Sequence, residues 1–518
     1  MVESKIMAST IQNKKTDLLL WAVFLIGIFL RFLPGLLAGF PLNDGGMFLS
    51  MIRDLRSHHF LLPQFTTYNY SEIPFAYPPL GMYIAVFVSA VFHVSEIDIL
   101  RWLPALISGA IIPVFYWLSA LILHSKSKAV IATALYAFLP GSFDWLVMGG
   151  GLTRSFGILF SLLAFYYVYQ LFHDGSGKQI FLSILFSALA VLSHPEVGLQ
   201  TAVICFLIWL LFGRSLTGLK NAMLVALGTM LLTTPWWLTV LLQHGLAPFE
   251  SAVQTGVRET LLASLFHSIF STQGGLPILP IFSLAGMIVF IRKREFLLPV
   301  WAILPFFVDP RNAPAVAIFP LVMLAGEGLY YLKEEFDRAY LKSMQKSGKI
   351  NAPAWLTNGI FTVLLFYFLI VSYSSTGSLV RLSLAVSDRE TMEWIKENTP
   401  AESRFLLVTN AGQISPMTDS YQEWFPVLAE RKNQNTLQGQ EWTLGPQFYP
   451  YSQQLVALQA CPSVDCLHEW VARNSVEFDF LLFQKRRASP GFIMSLRTDE
   501  RYRVIYESES AVVFTADQ

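Results

Sequence analysis

Apolar stretches long enough to cross a bilayer alternate with short polar segments from Asp17 to Tyr373. A hydrocarbon core about 30 Å thick takes roughly 20 apolar residues of helix. On that scale the pattern predicts spans at Asp17–Phe40, Ile99–Leu123, Ala129–Leu146, Thr153–Phe172, Ile180–Ser193, Val197–Phe212, Asn221–Leu242, Leu276–Ile291, Phe296–Val308, Ala313–Leu332 and Ala354–Tyr373, about eleven in all. Pro78–Val94 is barely long enough to cross and is assigned to a re-entrant or interfacial segment. Ahead of it, Met47, Met51 and Leu55 recur at helical spacing with Phe48 and Ile52 beside them. That predicts an amphipathic helix lying along the membrane surface. After Val386 the period changes. Asp388–Asn398 reads as an amphipathic helix stopped before Pro400, and Arg404–Thr409, Phe478–Phe483, Tyr502–Tyr506 and Ala511–Phe514 read as short strands. The expected fold class is a polytopic α-helical membrane domain over residues 1–378, followed by a small α/β domain over 379–518.

Composition agrees with the pattern: 54% of the residues are hydrophobic and 14% charged, where a soluble protein carries roughly 25% charge. Lys and Arg number 36, as do Asp and Glu, so no charge excess points to nucleic acid. Basic residues fix the orientation. With Pro78–Val94 not crossing, Lys5, Lys14, Lys15, Lys126, Lys128, Lys178, Arg214, Lys220, Arg292–Arg294 and Lys333–Lys346 all fall on one side, which the positive-inside rule makes cytoplasmic. The N-terminus is then cytoplasmic and the C-terminal domain extracytoplasmic. Of the three cysteines, Cys205 lies in an apolar run, and an exported Cys461 and Cys466 are expected to form a short-loop disulfide.

The same orientation collects the unusual residues on the outer face. They are Asp44 with Gly45 and Gly46, then Tyr77-Pro78-Pro79, Asp144, Gly149–Gly151 with Arg154, and His194-Pro195-Glu196. Arg258, Glu259 and Gln273–Gly275 follow, and then Asp309 and Arg311. Ionisable groups at membrane depth are costly and mark function by default. Each also has a plain structural reading. His194-Pro195 can simply end a helix, Gly149–Gly151 can be a turn, Asp44 can be a helix cap, and Asp309 can pair with Arg311. The inner loops need only the positive-inside rule. Arg31, inside the first span, is the exception to the one-sided distribution.

An acid just after the first span, an interfacial helix and the Tyr77-Pro78-Pro79 start resemble the GT-C glycosyltransferases. That superfamily includes protein O-mannosyltransferases, lipid A aminoarabinose transferases and oligosaccharyltransferase catalytic subunits. Thr234-Pro-Trp-Trp237 and the stretch Arg311–Pro320 are similar too. The resemblance rests on the ordered set, from Asp44 to Pro320, rather than on one motif. It implies transfer of a sugar from a polyprenyl-phosphate donor to a glycan, lipid or protein acceptor on the extracytoplasmic face, with inversion. Asp44 would be the general base or orienting carboxylate, and Arg311 would hold the carrier phosphate. Tyr77, Asp144, Arg154, His194, Glu196 and Asp309 are the further substrate-binding candidates. Asn43-Asp44 replaces the paired acids of some members, so a divalent metal is possible but not required by the pattern. The Trp-Trp-Asp-Tyr-Gly motif of oligosaccharyltransferases is absent. Glu423–Ala429 with Gln440–Trp442 looks like a C-terminal domain of bacterial members, which implies a bacterial cell membrane and a part in selecting the acceptor.

The bare chemistry agrees. No Gly-rich phosphate loop follows a strand, as a nucleotide-sugar site would want. A lipid-phosphate donor needs only a cation at the interface and an apolar groove. The competing readings are a transporter or flippase of lipid-linked glycans, which would usually show internal symmetry, and a membrane scaffold with a binding ectodomain. The orientation is directly testable: a Lys293→Cys variant in intact cells should stay unlabelled by an impermeant thiol reagent, and labelling from outside would invert the topology.

Overall fold

The computed structural model describes residues 2–255, 278–347, 354–409, 416–487 and 490–516. Arg258, Glu259 and Gln273–Gly275 therefore lie outside the described residues. The membrane part comprises α1 (Val2–Ala38), α2 (Gly46–Ser57), α3 (Leu80–Phe92), α4 (Glu96–Leu123), α5 (Lys126–Phe138), α6 (Gly151–Asp174), α7 (Gly177–Ser193), α8 (Pro195–Phe212), α9 (Leu216–His244), α10 (Ala247–Gln254), α11 (Ile278–Arg292), α12 (Leu297–Val308), α13 (Ala313–Ser347) and α14 (Ala354–Val380). Among the described residues, seven helices are long and apolar enough to cross a membrane: those at Lys14–Ala38, Glu96–Leu123, Gly151–His173, Pro195–Phe212, Leu216–His244, Ala313–Arg338 and Thr362–Val380. The helices α3, α7, α11 and α12 are apolar but shorter. The span expected at Ala129–Leu146 is a helix only to Phe138, because Pro140 opens a turn and the chain then folds back toward the start of α2. Proline has no N–H to continue the ladder.

Arg31 is fully buried, and its guanidinium ties three helices together. It donates to Ser108 Oγ (3.1 Å), to the carbonyls of Gly27 (2.9 Å) and Ala137 (3.0 Å), and to Ser142 Oγ (3.3 Å). It also lies over the rings of Tyr136 and Phe143. Its partners hold α1, α4 and the end of α5 together, so a structural account covers the one charge that broke the one-sided pattern. At one end of the bundle, Lys128 (2.6 Å) and Lys293 (2.9 Å) share the buried carboxylate of Glu327, and Lys126 pairs with Asp17. Two separate basic loops assigned to one side of the membrane thus meet on one acid.

The C-terminal part holds a five-stranded sheet in the order β4-β3-β5-β7-β6, from β3 (Arg404–Val408), β4 (Lys432–Asn433), β5 (Phe480–Gln484), β6 (Tyr502–Glu507) and β7 (Ala511–Ala516); β1 (Phe65–Thr66) and β2 (Ile73–Pro74) form a separate small ladder. The strand β3 runs parallel to β4 and β5, while β7 is antiparallel to β5 and β6. The helices α15 (Val386–Asn398), α16 (Ser420–Leu428), α17 (Phe448–Gln459), α18 (Val464–Asn474) and α19 (Pro490–Thr498) accompany it. Cys461 and Cys466 are disulfide-bonded, with their Cα atoms 5.5 Å apart. Alternate residues of each strand enter different cores. Leu406, Val408, Leu481, Phe483, Val512 and Phe514 belong with α17, α18 and α19. Phe405, Leu407, Leu482 and Val513 instead join one continuous core with α2 and α3.

That shared core corrects the expectation for α2. Met47, Phe48, Met51, Ile52 and Leu55 are all buried. The helix packs on α3 and on α16, not against lipid headgroups. An amphipathic period identifies an apolar face but not what covers it. The link from α2 to α3 is also fixed. Asp54 accepts from Thr66 Oγ1 (2.7 Å), Thr67 N (3.0 Å) and Thr67 Oγ1 (2.7 Å). Asn69 and Asn433 exchange two hydrogen bonds, at 2.9 and 2.7 Å.

Arg31→Met should keep most of the packing volume while removing the donors to Ser108, Ser142 and the Ala137 carbonyl. A buried polar group left unpaired costs about 1–3 kcal/mol. The thermal midpoint of the purified protein in detergent should drop by several degrees; an unchanged midpoint would show the guanidinium to be dispensable for the bundle.

Candidate active site

After α1 the chain reverses and reaches Asp44 through a tight turn, with Asn43 (φ 53°) and Gly45 (φ 131°) in the left-handed region. Gly149 N donates to the Leu42 carbonyl at 3.0 Å, which brings the start of α6 against this turn. A Cβ on Gly149 would overlap the Asp44 carbonyl, and one on Gly150 would overlap the Asp44 carboxylate and Arg154. Close backbone approach, more than turn flexibility, is therefore what these glycines provide.

Asp44 is 6% exposed. Its Oδ1 accepts from Gly150 N at 2.8 Å, and its Oδ2 accepts from the Arg154 guanidinium. The positive end of the α6 dipole and a charge-assisted bond thus meet on one carboxylate. Arg154 also donates to the Trp145 carbonyl (3.0 Å) and lies over the Trp145 ring (5.1 Å).

The C-terminal domain holds the same turn from its other side. Glu423 Oε1 accepts from Gly45 N at 2.7 Å, and Trp424 Nε1 donates to the Asn43 carbonyl at 2.8 Å. The Trp424 ring packs edge-on against Phe40, 4.8 Å between centroids. Burial, and then the negative charge of Asp44, push the Glu423 carboxyl up to about 8, against the opposing pull of the Gly45, Met47 and Gly46 amides.

Beside Asp44 lies an aromatic group centred on Tyr77. Its hydroxyl bonds Thr153 Oγ1 (3.1 Å), and its ring meets Phe48 (5.1 Å), Trp442 (5.9 Å) and His194 (6.0 Å). Burial raises the Tyr77 phenol. Trp236 fixes the approach to Tyr77 by donating to the Ala76 carbonyl at 3.1 Å. His194 ends α7 and precedes Pro195 at the start of α8. It is 6% exposed, its Nδ1 has no hydrogen-bond partner among the described residues, and Glu196 Oε2 stands 3.8 Å away. Burial, then the charges of Arg154 and Arg311, lower its imidazole to about 3, so it is neutral.

Arg311 is exposed and carries no ion pair among the described residues. Asp309 accepts from Asn312 Nδ2 (2.9 Å), while burial raises its carboxyl and Arg311 acts on it through space. Glu441 adds a carboxylate with Oε2 unpartnered among the described residues. Burial raises it to about 7, with Arg311 opposing and Glu196 reinforcing the shift. The structure therefore brings Asp44, Arg154, Tyr77, His194, Glu196, Asp309 and Arg311 into one neighbourhood. Asp144 is directed elsewhere: it accepts from Ser375 on α14 (3.0 Å), and its flanking residues pack with Leu42 and Leu379. Glu423, Trp424, Glu441 and Trp442 join the site from the C-terminal domain. Their stretches, Glu423–Ala429 and Gln440–Trp442, carried the resemblance to a bacterial C-terminal domain, but the Glu-Trp pair itself recurs at Glu393-Trp394 and Glu469-Trp470 and does not single them out.

The arrangement fits a divalent metal poorly. The Arg154 guanidinium already supplies Asp44 with its positive partner, and no group of three or more His, Cys, Asp or Glu converges among the described residues.

The family profile described as dolichyl-phosphate-mannose-protein mannosyltransferase matches residues 76–238, from Tyr77 and its approach through α9. A search of curated proteins finds no match. Among solved structures, apo ArnT from Cupriavidus metallidurans superposes with a TM-score of 0.58 at 15% identity, covering 97% of this chain and 98% of that one. The same enzyme bound to undecaprenyl phosphate gives 0.56 at 16% identity, covering 96% and 97%. The archaeal oligosaccharyltransferase AglB from Archaeoglobus fulgidus, in complex with an inhibitory peptide and a dolichol-phosphate, gives 0.55 at 15%, covering 91% and 70%. The chain has the fold of the GT-C membrane glycosyltransferases.

Proposed function

We propose that this protein transfers a sugar from a polyprenyl-phosphate donor to an acceptor on the extracytoplasmic face of the membrane, with inversion at the sugar carbon. One observation carries the reading. A buried carboxylate, Asp44, is held by Gly150 N and Arg154 in the same neighbourhood as an exposed Arg311 that carries no ion pair among the described residues. The fold is shared with proteins solved with undecaprenyl phosphate and with dolichol-phosphate, which supports a lipid-phosphate donor.

The step needs little machinery. The acceptor nucleophile attacks the anomeric carbon as the bond from that carbon to the phosphate oxygen breaks. The electron pair of that bond leaves with the carrier phosphate, and the nucleophile's proton goes to Asp44. Arg154 holds the carboxylate in one orientation. Arg311 offers the leaving phosphate a counter-charge, a role that Arg154, already bound to Asp44 and the Trp145 carbonyl, is not free to take. Tyr77 and Trp442 offer aromatic surface to the sugar, while neutral His194, Glu196, Asp309 and Glu441 offer hydrogen-bonding groups. The acceptor is a glycan, lipid or protein, and the carrier chain lies among membrane lipids. Arg31, the in-span charge that kept the transporter reading open, has a structural account in its four acceptors.

Transfer from polyprenyl-phosphate sugars in detergent or liposomes tests the roles separately. Asp44→Asn keeps shape but removes the charge, so turnover should fall by about 100-fold or more while donor binding survives. Near-normal turnover in folded Asp44→Asn protein would remove the main support for the enzyme. Arg311→Ala should instead raise the donor KM through loss of a charge-assisted phosphate contact, and Arg311→Lys should recover part of it as a point charge. Equal donor affinity in all three proteins would place the phosphate elsewhere.

A further inference from the structure

Glu423 is a buried acid on the C-terminal domain that the transfer step above does not use. It lies beside the N-terminus of α2, where the Gly45, Gly46 and Met47 amides stabilise its charged form, and Gly45 N donates to Oε1 at 2.7 Å. No side chain caps α2 from its own N-cap residue, Gly45. A residue 378 positions away therefore takes the place of a local cap. Next to it, Trp424 donates to the Asn43 carbonyl at 2.8 Å, and its ring covers Gly45. The peptide groups before and after Asp44 are thus both gripped by consecutive residues of α16. The side chain between them is held from α6. Tyr68 locks the assembly, its hydroxyl donating to the Glu423 carbonyl at 2.9 Å.

We propose that Glu423 and Trp424 are positioning residues for Asp44, so that the C-terminal domain is a working part of the catalytic centre in addition to any part in acceptor choice. The proposal rests on Asp44 being the reacting carboxylate. Two anchors on the backbone and two on the side chain leave the Asp44 carboxylate little freedom to rotate. A misplacement of about 1 Å in a catalytic group can cost on the order of 100-fold in rate.

The acid at this position has a second consequence. The charged groups facing Glu423 are Asp44, with Arg154 behind it, and the Tyr68 phenol. Burial and the charge of Asp44 push the Glu423 carboxyl up to about 8, so raising the pH through that range favours its ionised form. Ionised Glu423 accepts stronger, charge-assisted bonds from the α2 amides. It also adds a negative charge beside Asp44, which strengthens the pull of Asp44 on the nucleophile's proton. Turnover should therefore rise through this pH range.

Full-length variants in the polyprenyl-phosphate sugar assay, run across pH with donor binding measured in parallel, decide the matter. Glu423→Ala should lower kcat by about tenfold or more with donor KM within about twofold, the mark of lost positioning rather than lost binding. Glu423→Gln keeps an acceptor for Gly45 N, so it should restore most of that loss while removing the rise in rate near pH 8. Trp424→Phe, which keeps the ring but not the N–H, should fall between the two in kcat. A folded Glu423→Ala protein with wild-type kcat overturns the proposal. So does a Glu423→Gln protein that keeps the wild-type rise near pH 8, an outcome readable even if the alanine variant does not fold. Asp44→Asn measured alongside separates the two layers. If it retains turnover, the functional reading fails and the clamp with it; if it is inactive while Glu423 and Trp424 are indifferent, only the clamp fails.

Discussion

The molecule is organised around the burial of one carboxylate. Removing an acid from water is costly unless its charge and lone pairs are met. At Asp44 they are met by an amide at the start of α6 and by Arg154, one turn further along. The surrounding backbone follows from that demand. The glycines at 149 and 150 let two chain segments touch, and the left-handed Asn43 and Gly45 aim the side chain. The same turn then needs partners for its own peptide groups, and α16 supplies them. Arg154 is committed by these contacts, whereas Arg311 is exposed and has no ion pair among the described residues.

Much of this was legible in the chain. Hydrophobic runs located the helices of the bundle but not all of their ends: the run Ala129–Leu146 is helical only to Phe138, and the helix from Ala313 continues past Leu332 to Ser347, because an apolar run reports what lipid or core can cover and not where the backbone ladder stops. Alternation located four strands of the C-terminal sheet, β3, β5, β6 and β7, but not β4, which at Lys432–Asn433 is too short to show a period. Rarity of charge at membrane depth picked out Asp44, Arg154, His194 and Arg311. What the pattern could not show was which partner each group meets. Arg31, the exception to the one-sided pattern, meets four acceptors, while Asp144 meets Ser375 through one oxygen and has the other buried without a hydrogen-bond partner among the described residues. The apolar face of α2 had the period of a lipid-facing helix, yet it is covered by α3 and α16. Periodicity encodes a face; tertiary contact decides its neighbour.

Glu423 and Glu441 were illegible for a further reason. An acid in a soluble domain is ordinarily a solvated surface group, and the tryptophan that follows each does not set these two apart, because the exposed Glu393 and Glu469 also precede tryptophans. Glu423 is buried where α16 packs on α2, and half-buried Glu441 lies within electrostatic reach of Arg311 and Glu196. The sheet contributes by splitting its two faces between two cores, so that Phe405 and Leu407 seat α16 on α2 while Leu406 and Val408 stabilise the domain itself. A small domain with one face given to a neighbour is not free to swing, and that rigidity makes a four-point hold on a loop possible.

The separation along the chain between Gly45 and Glu423, 378 residues, sets a schedule for biogenesis. At synthesis rates of about 5–20 residues per second, roughly 20–80 s pass between the ribosome's delivery of one partner and of the other. Throughout that interval the first loop waits without its cap, and the far domain must still be made and folded before it can dock. The newborn protein is thus a helical bundle before its first loop is held. A chain stalled or clipped before Glu423 would have that bundle complete while the Asp44 turn still lacked both of its distant partners, so completion of the loop reports completion of the chain.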